Sequence, residues 1–330
     1  MRERLARAGA PLERPGLVLG SGDDAAVAER AGVSATSVDA LVEGIHFRVP
    51  PFTLADVGHK GLAVALSDLA AMGATPAEAF VQLGLSERHQ ERVLELADGI
   101  AALAAAEQVT IAGGDVTRSP ILFLALTAVG SADRPEELVR RDRAAEGDLV
   151  VITGELGGAA AGLLLLERPE LENALEAAVA ERLRARQRAP SPRIAAGRLL
   201  AAQGASAMID VSDGLAGDAR HVAEASGVAL TIELERLPVQ PGVAEVAAAA
   251  GIEPERLVVA SGEDYELLAT LPKAREAAAL TAAAGAGIRL TTIGRVGRGA
   301  GVELRQPDGG SYEARGYDQL RTRRGPSGPA

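Results

Sequence analysis

Apolar blocks of two lengths alternate along this chain. Short blocks have the length of β-strands, and they occupy positions 17–19, 34–38, 109–112 and 121–129. Longer blocks carry apolar residues at helical spacing, and they occupy positions 53–72 and 87–106. Thr53 and Asp56 predict a capping box at the start of the first long block, and Gly73 is a natural stop. The pattern therefore predicts alternating strands and helices.

The second half continues this alternation after a charged stretch at 131–148. The predicted order is strand 149–153, helix 159–166, an arginine-rich helical segment ending at Pro190, strand 207–211, helix 216–225, strand 229–234 and later strand-like pieces. We therefore predict an α/β protein with mixed α+β sheets and two domains, 1–138 and 139–320. Positions 321–330 are expected to be a disordered tail.

Composition narrows the class of protein. The 330 residues carry a formal net charge of −11 without a basic stripe, so nucleic-acid binding is not expected. The absence of cysteine excludes disulfides and thiolate metal sites. The longest uninterrupted apolar runs, such as residues 159–166, fall well short of the ~20 residues that span a bilayer, and the first residues lack the apolar stretch of a signal peptide. We expect a cytoplasmic protein that binds neither nucleic acid nor membranes.

Aspartates recur where apolar blocks stop. They are Asp23, Asp24, Asp39, Asp115, Asp210 and Asp213, and Asp68 lies inside the predicted helix 53–72. A carboxylate in such a place lies near the core and still reaches a cleft. Several of them would repel one another unless they share a positive charge, and hard cations such as Mg²⁺ take oxygen ligands. The pattern therefore predicts a site for Mg²⁺ ions.

Several of these aspartates also have a simpler interpretation. Asp68 has apolar neighbours one turn away in the predicted helix, so its charge needs a partner, either a metal or Lys60 two turns away. Asp213 is also a suitable N-cap for the helix that follows it. Asp115 also suits a simple turn after two glycines, although glycines equally let the backbone approach a ligand.

A nucleotide motif near the start of the chain is weaker than it looks. Positions 20–25 match the dinucleotide fingerprint G-x-G-x-x-A, and Asp39 follows its first glycine by 19 residues. Two carboxylates in that loop would repel a pyrophosphate, so a Rossmann interpretation is disfavoured. The chain contains no P-loop motif G-x-x-x-x-G-K-[ST].

Four further polar positions have ordinary explanations when taken alone. Glu263 and Asp264 are typical of a solvated turn before an apolar strand. His46 is typical of a hydrogen-bonded structural residue, and Arg141 of a solvated side chain.

Taken together, six segments in chain order resemble the thiamine-monophosphate kinases. They are Gly22-Asp-Asp-Ala-Ala-Val27, Asp39-Ala-Leu-Val-Glu-Gly-Ile-His-Phe47, Leu66-Ser-Asp-Leu-Ala-Ala-Met-Gly-Ala74, Gly113-Gly-Asp115, Met208-Ile-Asp-Val-Ser-Asp-Gly-Leu215 and Gly262-Glu-Asp-Tyr-Glu-Leu-Leu268. The resemblance covers roughly residues 15–320. One such segment is weak evidence, whereas six in order are specific.

This resemblance implies a two-domain fold similar to aminoimidazole ribonucleotide synthetase. It also implies a homodimer in which the N-terminal domains share a β-barrel. The implied reaction is direct in-line transfer of the ATP γ-phosphate to thiamine monophosphate, which gives thiamine diphosphate. The implied cofactor is Mg²⁺, several ions, with ATP as co-substrate.

The resemblance also implies roles for individual residues. The Mg²⁺ ligands would be Asp23, Ser37, Asp39, Asp68, Asp115, Asp210 and Asp213. The ATP contacts would be Gly114, Asp115, Arg141 and Ser212. The contacts with thiamine monophosphate would be His46, Glu263 and Tyr317. No side chain is expected to act as a general acid or base.

Four positions depart from the family pattern without removing a carboxylate. Val38 and Val116 replace threonines, Ala65 replaces a common asparagine, and Ala97 replaces an aromatic residue near the nucleotide. Two other functions stay open at this point. One is another ATP-dependent synthetase of the same superfamily that activates an amide or carbonyl oxygen, and the other is a non-catalytic module that binds Mg²⁺ and nucleotide.

Overall fold

The computed structural model describes residues 2–20 and 25–317. The predicted α/β class with mixed sheets is confirmed, because two larger sheets and a short hairpin are combined with helices. Asp23 and the proposed tail at 321–330 lie outside the described residues. Within the described part of the chain, no helix is both long enough and apolar enough to cross a membrane.

The first half builds a four-stranded sheet. Its elements in chain order are α1 Arg2–Ala8, β1 Leu17–Leu19, β2 Val27–Ala28, β3 Val33–Val42, α2 Leu54–Ala71, β4 Thr75–Leu85, α3 Val93–Ala106, β5 Thr110–Arg118 and β6 Phe123–Ala132. The strand order is β3-β6-β4-β5, with β4 and β5 parallel and the other pairs antiparallel. Helices α2 and α3 pack on each other, and α2 packs on β3 and β6.

Most of the predicted elements of this half are present. The capping box is confirmed, since the Thr53 hydroxyl accepts from the Asp56 amide at 3.0 Å and the Asp56 carboxylate accepts from the Thr53 amide at 2.9 Å. The predicted helix 87–106 instead begins as the 3₁₀ helix Glu87–Arg92. Strand β4 was not predicted, because Pro76, Glu78 and Gly84 break its apolar alternation.

The dinucleotide-fold interpretation of positions 20–25 is not supported. Strand β1 pairs antiparallel with β2, which begins at Val27. A dinucleotide fingerprint instead needs a helix at that point, followed by a parallel strand.

The second half builds a seven-stranded sheet. Its strands are β7 Leu149–Thr153, β8 Ala207–Asp210, β9 Ala229–Glu233, β10 Leu267–Leu271, β11 Leu290–Gly297, β12 Gly301–Arg305 and β13 Ser311–Tyr312. Its helices are α4 Gly158–Glu167, α5 Ala177–Arg188, α6 Ile194–Ala202, α7 Leu215–Ser226, α8 Val243–Ala250, α9 Pro254–Val259 and α10 Glu276–Gly285. The strand order is β13-β12-β9-β11-β7-β10-β8, and β9 and β12 are the parallel pair. The later part of the chain, expected to be strand-like, also contains α8, α9 and α10, two of which are runs rich in alanine, the best helix former.

Helix α2 joins the two halves. It packs on the first sheet and also on α6 and β8 of the second half. At Gly197 of α6 the approach is so close that a Cβ atom would lie 2.0 Å from the Ala70 carbonyl oxygen. One apolar core therefore runs from the first sheet to Met208 and Leu267 of the second. Side chains on α2 consequently meet groups from both halves.

Candidate active site

Three predicted carboxylates converge where α2 meets strands of both sheets. The Ser37 hydroxyl donates to Asp39 at 3.3 Å and also contacts the Asp68 carboxylate closely. One residue earlier on α2, the buried Ser67 hydroxyl donates to Asp210 at 2.7 Å. A cavity of about 350 Å³ is lined by Ser37, Asp68, Asp210 and the predicted ATP contact Arg141.

Secondary structure explains this convergence. Ser37 and Asp39 are two residues apart on β3, so their side chains share one face of the sheet. Asp210 is the last residue of β8, the edge strand of the second sheet that faces α2. Ser67 and Asp68 are adjacent on α2, so their side chains point in different directions. Ser67 contacts Asp210 of the second half, and Asp68 contacts Ser37 of the first half.

Buried like charges perturb this group strongly. Burial, followed by repulsion from Asp68, raises the pKa of Asp39 to about 6 and that of Asp210 to about 7. Burial raises the pKa of Asp218 to about 8, with Asp210 and Asp213 adding to the effect. Within residues 2–20 and 25–317, no lysine, arginine or histidine forms an ion pair with Asp39, Asp68, Asp210 or Asp218. The negative charge therefore lacks a protein counter-ion at bonding distance.

Helix α7, which follows the loop after Asp210, adds two residues that sequence reasoning missed, Asp218 and His221. Carboxylate oxygens of Asp213 and Asp218 and a ring nitrogen of His221 lie within 4.8 Å of one another, a grouping able to hold a metal ion. Asp218 also accepts from the amides of Ser212 and Asp213, both at 3.1 Å. The three-residue spacing of Asp218 and His221 on one helix was the available signal. We call Asp39, Asp68, Asp210, Asp213 and Asp218 the aspartate cluster.

The capping interpretation of Asp213 is wrong. The N-cap of α7 is Gly214, at φ 106°, and its cap has no side-chain hydrogen bond. Predicted residues Ser212 and Asp213 instead form the loop that Asp218 ties together. The Tyr317 amide donates to the Asp213 carbonyl oxygen at 2.8 Å, which brings the half-exposed Tyr317 to the same loop.

Gly114 and Asp115 lie apart from this loop, in a second cavity. Both are exposed on β5, which rules out a simple turn at Asp115, and they line a mainly apolar space of about 940 Å³ together with Leu19 and Ala97. A Cβ atom on Gly114 would lie 2.2 Å from the Val81 carbonyl oxygen. The glycine is therefore required by the packing of β5 on β4, whatever its contact with a ligand.

The acidic turn, residues 261–266, is not the solvated turn that its sequence alone suggested. Asp264 accepts from the amides of Gly157 at 2.7 Å and Ala159 at 3.1 Å, so it provides acceptors for backbone amides at the start of α4. Glu266 is fully buried between Arg186 and Arg193, and Arg193 donates to it at 2.6 and 2.8 Å. These two carboxylates have structural partners.

Glu263, at the exposed side of the acidic turn, pairs with Lys60. The Lys60 ammonium lies 2.7 Å from its carboxylate, so the alternative pairing of Lys60 with Asp68 is wrong. His46 belongs to the same neighbourhood, because burial lowers its pKa while Glu263 and Lys60 act on it in opposite directions. The Nδ1 atom of His46 accepts from the Val42 amide at 3.1 Å, as its structural interpretation required. Two predicted substrate contacts are thus neighbours.

The donor set of the aspartate cluster fits hard divalent cations. It consists of carboxylate and hydroxyl oxygens, the ligands that Mg²⁺ prefers. Asp39 is half-buried and Asp210 is buried, both have raised pKa values, and a bound cation would remove the cost of ionising them. The fit therefore rests on the chemistry of the residues themselves.

Comparison with known proteins identifies the family of this chain. The family model of the N-terminal domain of AIR synthase related proteins matches residues 22–132, and that of the C-terminal domain matches 145–306. Thiamine-monophosphate kinase of Escherichia coli strain K12 is 36% identical over 314 residues, covering 92% of each chain. The kinase of Rhodopirellula baltica is 33% identical over 299 residues, covering 87% of this chain and 86% of its own.

Solved structures agree as well. The crystal structure of thiamine-monophosphate kinase from Stenotrophomonas maltophilia K279a superposes with a TM-score of 0.83 at 37% identity, covering 94% of this chain and 96% of its own. AaThiL complexed with AMPPCP and TMP superposes with a TM-score of 0.74 at 30% identity, covering 87% of each chain. On these matches, the chain belongs to the thiamine-monophosphate kinase family of AIR synthase related proteins.

Proposed function

We propose that this protein transfers the γ-phosphate of ATP to thiamine monophosphate and so forms thiamine diphosphate. The observation that carries the proposal is the aspartate cluster, a partly buried set of like charges at the junction of the two halves. A relative 30% identical over most of the chain is a complex with AMPPCP and TMP, which supports both substrates.

The residues proposed to hold Mg²⁺ are those implied by the family motifs. They are Asp23, Ser37, Asp39, Asp68, Asp115, Asp210 and Asp213, to which the geometry adds Asp218 and His221 as candidates. When bound, Mg²⁺ supplies positive charge that offsets the phosphates of both substrates. The carboxylates then act as holders of charge and position, and none of them needs to move a proton.

The remaining chemistry falls to positioning by the chain. A phosphate monoester has its second pKa near ~6, so the acceptor oxygen is mostly ionised at neutral pH without a general base. Arg141 lines the cavity beside Asp68 and Asp210, where a guanidinium can bind a phosphate oxygen. With Gly114, Asp115 and Ser212, it forms our proposed set of ATP contacts.

The proposed acceptor contacts are His46, Glu263 and Tyr317. Thiamine carries a cationic thiazolium ring, which a carboxylate or an aromatic face favours. Glu263 and His46 are neighbours in the structure, and Tyr317 is joined through its amide to the Asp213 loop. The Glu263 carboxylate would repel an anionic phosphate, so this end of the site suits the organic part of the acceptor.

We also propose a cytoplasmic homodimer with domains at 1–138 and 139–320, in which the first sheets of two copies associate. Strands β3 and β5 are the edges of that sheet. Both edges expose a large apolar side chain, Val38 at 68% and Val116 at 65%. Edge strands with exposed apolar residues favour association with another chain.

The decisive assay combines purified protein, ATP, Mg²⁺ and thiamine monophosphate, with thiamine as a control acceptor. Formation of thiamine diphosphate and ADP is expected, and free thiamine should not react. A ring closure or dehydration of some other substrate coupled to ADP formation would instead support a synthetase. ATP binding without transfer to any thiamine phosphate would support a non-catalytic module.

A further inference from the structure

Lys60 is an unusual residue for this chain. Only two of the 34 basic residues are lysines, Lys60 and Lys273. Lys273 is exposed, whereas Lys60 has no exposed surface at all. Lysine is almost never fully buried unless it is paired. A fully buried lysine on α2, the helix that joins the two halves, therefore needs a specific reason.

The contacts of Lys60 point toward Glu263. Its Nζ atom lies 2.7 Å from Glu263 Oε1 and 5.4 Å from the centre of the Phe52 ring. The pair is held by charge rather than by a directed hydrogen bond, because within the described residues Nζ has no partner in hydrogen-bond geometry. The ammonium is thus enclosed on all sides and turned toward one carboxylate.

The Glu263 carboxylate is fixed from a second direction as well. Its Oε2 atom accepts from the Gln187 side chain at 2.6 Å. Its backbone has φ of 71°, in the left-handed region, and its amide donates to the Ser212 carbonyl oxygen at 2.9 Å. The side chain is nevertheless 26% exposed. Two anchors therefore hold an open carboxylate in one orientation beside the Ser212 loop.

We propose that Lys60 is a positioning residue that orients Glu263 toward the organic part of the acceptor substrate, an inference that rests on the proposed function. An unanchored glutamate would lose rotamer freedom each time it bound a ligand. Lys60 removes that cost in advance by holding the carboxylate in one orientation. It has no exposed surface, so it acts through Glu263 rather than by touching the substrate.

The test is a double-mutant cycle with steady-state kinetics for both substrates. The variants are Lys60→Met, Glu263→Gln and the double variant, with Lys273→Met as the matched surface control. We expect Lys60→Met to raise KM for thiamine monophosphate about tenfold, because the Glu263 carboxylate loses the close charge that fixes its orientation. KM for ATP should change less than about twofold. The double variant should bind the acceptor no worse than Glu263→Gln alone.

Three results would overturn the proposal. They are an unchanged KM for the acceptor in Lys60→Met, an equal rise in KM for ATP, and penalties that multiply in the double variant. A wild-type protein that does not phosphorylate thiamine monophosphate would instead refute the proposed function itself.

A second variant covers the case in which a single charge change prevents folding. Gln187→Ala removes the other anchor and leaves the ion pair intact. It should raise KM for the acceptor about threefold with kcat preserved, a smaller effect than that of Lys60→Met because the Lys60 ammonium still holds one oxygen of the carboxylate. An unchanged KM in Gln187→Ala would contradict the idea that the orientation of Glu263 matters.

The double variant of Lys60→Met and Glu263→Gln leaves neither charge unpaired, so its stability should exceed that of Lys60→Met.

Discussion

The aspartate cluster and the acidic turn are both rich in buried carboxylates, but their partners differ. In the acidic turn, Asp264 accepts two backbone amides and Glu266 lies between two arginines. In the cluster, Asp39 and Asp210 have hydroxyl donors and one another's negative charge. Within the described part of the chain, the carboxylates of the acidic turn therefore have compensating partners, whereas Asp39 and Asp210 have no counter-charge until a cation or protons are added.

This difference shows in the direction of the pKa shifts. The arginines beside Glu266 outweigh its burial and hold its pKa below its usual range. Asp210 is also buried, but among residues 2–20 and 25–317 no arginine or lysine pairs with it, and its pKa rises to about 7. The pKa of a buried carboxyl can therefore be lowered or raised, and the sign of the neighbouring charge decides which. An acidic sequence motif does not by itself distinguish a structural turn from a metal site.

The largest predicted effect concerns activity and not stability. Asp210→Asn should lower kcat on the order of 10³-fold, the scale of losing one charge-stabilising group in phosphoryl transfer. Its melting temperature should stay equal or rise, because a repelled buried carboxyl is replaced by a neutral amide. Steady-state kinetics and thermal unfolding of the same preparation would check both. Near-normal turnover would refute the assignment of Asp210 as a metal ligand.

The reverse result is expected in the acidic turn. Glu266→Gln leaves Arg186 and Arg193 without a counter-charge in a largely buried place, which should cost about 3 kcal/mol of unfolding free energy. Urea unfolding would measure the loss. Residual folded enzyme should keep its KM for ATP. A stability change below about 0.5 kcal/mol, as for a surface position, would contradict the structural role.

In the metal-free protein, the aspartate cluster should make the free energy of unfolding depend on pH. The folded state keeps protons on Asp39, Asp210 and Asp218 up to about pH 6, 7 and 8, whereas the ordinary carboxyl pKa is 3.8. The unfolded chain therefore binds fewer protons in this window, so the unfolding free energy should fall as pH rises from about 4 to 8. Each such group contributes up to about 1.4 kcal/mol per pH unit.

Divalent cation should cancel that fall. Added Mg²⁺ should raise the melting temperature at pH 8 and have little effect at pH 5, where the cluster carries its protons. Calorimetry or a thermal-shift assay between pH 5 and pH 8, with and without Mg²⁺, would measure this effect. In Asp210→Asn the melting temperature of the metal-free protein should depend less on pH. An equal Mg²⁺ effect at both pH values would contradict the account.

The smallest predicted effect is at the start of α4. Asp264→Asn keeps one acceptor oxygen but removes the charge that faces the Gly157 and Ala159 amides. We expect a loss of about 1 kcal/mol of unfolding free energy, typical of a weakened helix cap. Urea unfolding and kinetics would show a modest loss of stability with unchanged kcat. A large loss of kcat would instead place Asp264 in the site.

Sequence reasoning was accurate where local chemistry decides and incomplete where tertiary partners decide. The capping box at Thr53 and Asp56 is a local feature, and it is present as predicted. Asp213 fits the local rule for an N-cap equally well, but the Asp218 carboxylate, in the first turn of the same helix, accepts from the loop amides instead. Strand β4 was missed because its pairing with β5 and β6 overrides its poor local pattern.

The partners of the acidic turn were also beyond local reasoning. Lys60 lies about 200 positions before Glu263 in the chain, and nothing in the spacing of either residue indicates the pair. The sequence could predict that Asp39, Asp68 and Asp210 lie close together, because each is on or beside an apolar block. Their distances and pKa shifts depend on how α2 is placed between the halves.

The central claim is that the aspartate cluster, and not the acidic turn, holds the divalent cations. Electron paramagnetic resonance with Mn²⁺, a hard cation that also takes oxygen ligands, tests it directly in the presence of AMPPCP. The wild type and Asp264→Asn should bind Mn²⁺ equally, and Asp210→Asn should bind at least one ion about tenfold more weakly or not at all. Equal Mn²⁺ binding by wild type and Asp210→Asn would contradict the account.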